Sequence, residues 1–185
     1  MVLEADIEME RKIMEGNSPL AVYLLPFLPK VEFSYDRYDA EEAEGIDRKA
    51  VERLKARGVR RLTFDFGILE ANTTCTRFLR VDPKLSEEEK EALKEDLELF
   101  AEEVNGLIFN LDSPDENVSH VGAITFDLFR EKIVLAYKTY VWTEGREGRE
   151  EWVPVRHSAV KVEVSLEKFL KLKEKVKAFQ ALSKC

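Results

Sequence analysis

The stretch VSHVGAITFDLFREKIVLAYKTYVW (Val118–Trp142) decides the fold, because its apolar residues recur at every second position in two runs separated by a short polar break. In residues 118–129, Val118, His120, Gly122, Ile124, Phe126 and Leu128 share one face, and across Lys132–Trp142 the same holds for Ile133, Leu135, Tyr137 and Val141. Such alternation sends one set of side chains into a core and the other towards solvent, so the two runs read as antiparallel neighbours in a sheet with one wet face.

Working outward, the loop Glu144-Gly145-Arg146-Glu147-Gly148-Arg149 leads into Trp152–Val164, and its two glycines supply the positive φ that a hairpin turn needs. Within that last strand the apolar parity switches. Val153, Val155 and Ala159 occupy one parity and Val160, Val162 and Val164 the other, which a β-bulge near Arg156–Ala159 reconciles. Ser165 then caps a C-terminal helix whose Phe169, Leu172, Val176 and Phe179 lie at a/d-like spacing. The fold class that follows is α+β: an antiparallel β-meander packed by amphipathic helices, with the C-terminal helix closing the sheet.

The first half reads less evenly. Residues 2–15 form a first helix with Leu3, Ile7 and Met14 on one stripe and Met9 and Ile13 beside it. Ser18 to Pro29 is ambiguous: Ser18-Pro19 suits a helix cap, while Leu20–Leu25 also suits a buried strand. Val31–Tyr35 alternates as a short strand. Asp47 caps a helix over Arg48–Arg57 that Gly58 ends, and Val59–Leu69 then alternates as a strand, returning as Thr73–Val81. Ser86 with Glu89 is a capping box for a third helix, with Leu93, Leu97, Phe100 and Val104 as its stripe, Gly106 as its stop and a short strand at Leu107–Leu111 beyond.

A chain of 185 residues fits one domain, 1–185, with residues 1–45 as a candidate helical, proline-punctuated N-terminal appendage. Its polar surface is built from 27 Glu and 16 Lys against the single Gln180, the composition associated with hyperthermophiles. Cys75 and Cys185 are too few for a disulfide framework or a four-ligand zinc site, although they could pair with each other. The acidic N-terminus has no signal-peptide pattern, and the longest apolar run, Leu20–Leu25, is too short to span a bilayer. A cytoplasmic protein without membrane contact is the expectation.

Charge is segregated along the chain. Residues 48–80 carry +6, residues 82–103 carry −7, and the segment from Leu166 onward carries +4, within a net charge of −8. The basic segment offers Arg53, Arg57, Arg60, Arg61, Arg77 and Arg80 as phosphate contacts for nucleic acid. The net charge opposes such a partner at long range, and pairing of the basic helix with the acidic one accounts for the pattern as well. Asp65, Glu70, Asp112, Asp115, Glu116 and Asp127 sit on strands or at strand ends, but their spacing shows no convergence on a cation. His120 and His157 would need a third ligand to hold zinc, and one of them would have to meet Cys75 to make a Cys–His pair, so a buried, hydrogen-bonded histidine is the expectation for each. Phe64-Asp65-Phe66-Gly67 lacks the loops that accompany a kinase D-F-G. Tyr140, Trp142 and Trp152 remain as interface candidates on the last hairpin, since large amphipathic rings concentrate at binding surfaces.

The leading expectation is a non-enzymatic interaction module that self-associates or binds another protein, with no cofactor and no metal. A nucleic-acid-associated protein using residues 48–80 is the alternative. A small-ligand carrier or metal-dependent enzyme with a pocket under the C-terminal helix is the second.

Overall fold

The computed structural model describes residues 4–15, 17–28, 45–68, 74–111, 117–144, 148 and 150–183. Its elements run α1 (Glu4–Met14), α2 (Pro19–Leu24) with a 3-10 turn at Leu25–Phe27, α3 (Arg48–Ala56), β1 (Arg61–Ile68), β2 (Thr74–Asp82), α4 (Glu87–Ala92), α5 (Lys94–Leu111), β3 (Val118–Asp127), β4 (Lys132–Glu144), β5 (Glu150–Pro154), β6 (Val160–Ser165) and α6 (Leu166–Ser183).

All pairings are antiparallel, in the order β2-β1-β3-β4, and the far edge of β4 is shared by β5 and β6. The period-two reading of the central strands fixes which face is covered. Leu62, Phe64 and Phe66 of β1, Ile124 and Phe126 of β3, Ile133, Leu135 and Tyr137 of β4, and Val162 and Val164 of β6 are buried together. On that inner face lie α5 and α6, joined by α2, α1 and α3 in one contiguous core. Phe126 is its hub, meeting Phe64 and Phe100 edge-on at ring-centroid distances of 6.1 and 5.1 Å.

Several expectations give way to stronger packing. Gly106 does not stop the third helix: α5 runs on to Leu111, so Leu107–Leu111 is helix rather than strand. Burial of Leu107 and Ile108, which continue the Phe100–Val104 stripe, outweighs the roughly 1 kcal/mol that a helical glycine costs. The break comes earlier, at Leu93, which ends α4 and turns its side chain into the core. In α1 the buried face carries Ile13 with Met9, while Ile7 and Met14 are exposed. In α6, Leu166, Phe169, Leu170, Leu172 and Val176 are buried, but Phe179 is exposed in a last stretch that outruns the core. Ser18 settles the ambiguity after α1. Its hydroxyl accepts the Ala21 amide at 3.3 Å and Pro19 opens α2. Val31–Tyr35, Leu3, Cys185 and most of the 144–149 loop lie outside the described residues, as does the side chain of Cys75.

The parity switch in the last strand is a break and not a one-residue bulge. Tyr140 faces Pro154 while Tyr137 faces Val160, so two residues of β4 lie opposite five, a slip of three. An odd slip exchanges the faces. Within the excursion, His157 takes a positive φ of 61°. The Ser158 hydroxyl stands in for lost ladder bonds, accepting the Thr139 amide at 3.1 Å and donating to the Val155 carbonyl at 2.7 Å.

Charge segregation resolves largely inside the molecule. Basic α3 pairs with acidic α5 through Arg53 and Asp96, and with α6 through Arg48, which bridges Glu167 and Glu174 at 2.7 Å each. The buried member is Glu103 on α5, only 2% exposed, which accepts the Ile46 amide at 2.8 Å and pairs with Lys173 of α6. Gly45, at φ 66°, sits so close to this pair that a Cβ would lie 2.2 Å from the Glu103 carboxylate.

Candidate functional site

Two surfaces of the sheet carry most of the exposed residues that bear on function. The first is its outer face. Alternation directs Thr63 and Asp65 of β1, Val121, Ala123 and Thr125 of β3, and Val134, Ala136 and Lys138 of β4 away from the helices. Among the described residues no helix covers them. The centre is built of small side chains: Thr63 and Thr125 hydrogen-bond hydroxyl to hydroxyl at 3.0 Å, beside Ala123, Val134 and Ala136. Its rim is charged in both signs, with Arg80 bonded to Asp65 at 3.0 Å, Arg61 to Asp82 at 2.8 Å and Lys132 to Glu163 at 3.7 Å.

At one end of that face stands the aromatic group. Trp142 and Trp152 are direct cross-strand partners whose rings meet edge-on at 5.3 Å, and Tyr140 pairs with Pro154 beside them. All three rings are half-buried. They share a face for a local reason: residues 140 and 142 continue the outward parity of Lys138, and direct pairing brings Trp152 onto it.

The second surface is the opposite end of the strands, where the α3–β1 junction meets the β3–β4 turn. A shallow recess of about 210 Å³ is lined by Arg60, Arg61, Asp127, Phe129 and Arg130. Phe129, 74% exposed, carries the Arg60 guanidinium over its ring at 5.8 Å. Neither Phe129 nor Arg130 stands out in the sequence reading. The available signal was a large apolar residue in a four-residue β-turn, where polar residues are the rule.

The six candidate arginines do not act alike. Arg53 chelates Asp96 through bonds of 2.7 to 3.0 Å, and its ionisation is raised chiefly by that hydrogen bond. Arg61 and Arg80 are held by Asp82 and Asp65. Arg57 and Arg60 are exposed and form no ion pair with the described residues. The side chain of Arg77 lies outside the described residues.

On the inner face, Tyr137 is 5% exposed, and its hydroxyl has no hydrogen-bond partner among the described residues. Burial pushes its ionisation above the ordinary value of 10. His120 meets it edge-on at 5.3 Å, and the His120 Nδ1 lies 3.1 Å from the Thr139 hydroxyl. The space beneath α6 is filled by Ile133, Leu135, Leu166, Phe169 and Leu170. Among the described residues, no three His, Cys, Asp or Glu side chains converge as a metal site requires, and no helix is long and apolar enough to cross a membrane. Asp65 is tied to Arg80 and Asp127 accepts the Arg130 amide at 2.8 Å, whereas Glu70, Asp112, Asp115 and Glu116 lie outside the described residues.

Compared with models of known protein families, with curated proteins and with solved structures, the chain matches none.

Proposed function

We propose that the chain is an interaction module that self-associates by laying the outer face of its sheet against a second copy. The observation that supports this reading is the Trp142–Trp152 pair with Tyr140, set at the end of a face that no described helix covers. The charged rim favours a second copy over an unrelated partner. Arg80, Lys132 and Lys161 share the face with Asp65 and Glu163, so a two-fold axis through Ala136 can oppose unlike charges. A rim of one sign would repel its own copy. Central small residues let two sheets approach to the usual 10 Å, and large amphipathic rings are the side chains that concentrate at such contacts.

Sedimentation velocity tests it. A dimer is expected at submillimolar concentration, and Ala136→Arg, at an exposed position, weakens it at least about tenfold, or about 1.4 kcal/mol. Trp142→Ala has the same direction. A strict monomer throughout that range overturns the proposal.

Nucleic-acid binding spread across residues 48–80 draws less support, because Arg53, Arg61 and Arg80 are committed to carboxylates. A ligand chamber under the C-terminal helix also draws little, since bulky side chains occupy that volume.

A further inference from the structure

The recess where β1 begins and β3 ends is a site of another kind. Its aromatic member is displayed and held. Phe129 and Leu128 both donate their amides to the Arg60 carbonyl, at 3.3 and 2.8 Å. The Arg130 amide is bonded to Asp127, and the Glu131 carbonyl accepts the Leu166 amide at 3.0 Å, so the turn is tied to β1 and to the start of α6. Glu131 completes it at a φ of 57°. The fold has no need of a phenyl ring there, since leaving such a side chain in water forgoes about 1.5–3 kcal/mol of burial.

Three arginines line the recess with that ring, Arg60 lying over its face. Arg61 is neutralised by Asp82, while Arg60 and Arg130 pair with no carboxylate among the described residues. Against Asp127 this leaves an excess of positive charge beside an exposed aromatic face. The volume, about 210 Å³, falls short of the roughly 300–1,000 Å³ that encloses a whole small ligand. It suits one unit of a longer molecule. A planar ring to stack on Phe129 with an anion a few ångströms away for Arg60 and Arg130 describes a nucleobase and its phosphate.

We infer that the Arg60–Phe129–Arg130 recess binds single-stranded nucleic acid, one base stacked on Phe129 and the adjoining phosphates on the two arginines. Base–aromatic stacking accepts every base, so the contact is indifferent to sequence. The net charge of −8 does not forbid it, because charges beyond about 8 Å are screened at physiological salt. It does keep the attraction local and weak.

Fluorescence anisotropy of a short labelled oligothymidylate at low salt, competed by thymidine monophosphate or by inorganic polyphosphate, tests the inference on the intact chain. Saturable binding is expected, falling about tenfold in Phe129→Ala with no loss of thermal stability, since that ring is exposed. Arg60→Gln and Arg130→Gln each weaken binding and flatten the salt dependence by about 0.7 in logarithmic slope. If the monophosphate competes as strongly per nucleotide as the polymer, the site takes a free nucleotide and the polymer assignment falls. Equal displacement by polyphosphate with no effect of Phe129→Ala overturns the stacking. Absence of binding by both nucleotide ligands overturns the site altogether.

Discussion

Strand β4 lives in two environments. From Lys132 to Tyr137 it pairs with β6 beneath the helices, and Ile133, Leu135 and Tyr137 are buried. From Tyr140 to Glu144 it pairs with β5, where Tyr140, Val141 and Trp142 are only half-buried. One strand thus belongs to a core at one end and to an arm at the other. The difference lies in what covers the inner face, since the ladder continues through both. Stability should therefore concentrate in the first half, and the surface free for recognition in the second.

The largest expected effect breaks the comparison directly. Leu135→Ala, at a fully buried position, is expected to cost about 2–5 kcal/mol in urea denaturation, against less than about 1 kcal/mol for Val153→Ala on the arm. Equal losses would mean that the arm is as much a part of the core as the body. Next comes the boundary. A Cβ on Gly122 would lie 1.9 Å from the Ala136 carbonyl and 2.6 Å from the Tyr137 Cα, so Gly122→Ala must push β3 from β4. About 1–3 kcal/mol is expected, with hydrogen exchange accelerating at residues 137–142 more than at 132–135.

A smaller change runs the other way. Tyr137→Phe removes a buried hydroxyl that lacks a described partner, and should stabilise the fold by about 1 kcal/mol. It should also delay alkaline unfolding. The folded-state ionisation of Tyr137 is raised, so its contribution is complete below pH 10 and is lost as pH rises beyond that. Thermal denaturation at neutral and alkaline pH checks both.

The smallest effect concerns the clamp between α3 and α6. The hydrogen bond from Arg48, with its charge, holds the Glu167 carboxyl below its ordinary value of 4.5. A depressed folded value means that the contribution is present above pH 4.5 and fades as pH falls through the lower one. Arg48→Gln should thus lower the melting temperature slightly at neutral pH, and the two proteins should converge in acid.

The sheet was legible because a one-sided sheet writes its burial into alternate residues, as Ile124, Phe126, Ile133 and Leu135 do. Caps at Asp47, Ser86 and Ser165 were legible for a similarly local reason: each hydroxyl or carboxylate serves an amide three residues ahead, whereas Ser18 offered a cap beside an equally good strand reading. What failed depended on distant partners. Gly106 looks like a stop until Leu107 and Ile108 find the core, and Ile7 looks buried until Ile13 takes that place. Phe179 matches the stripe of α6, but the core ends before it. The outer-face aromatics followed from parity alone. The strand-end recess did not, because Arg60 and Phe129 are far apart in sequence and meet only through the pairing of β1 with β3.

The three-residue slip between β5 and β6 has a consequence for chain length. Each strand finds its own register on β4, so the excursion Val155–Ala159 transmits no phase from one to the other. Its exposed Arg156 and His157 mark a splice point where residues can be added in any number, odd or even. Within the uninterrupted pairing of β3 with β4, by contrast, a single inserted residue would turn the rest of the strand inside out.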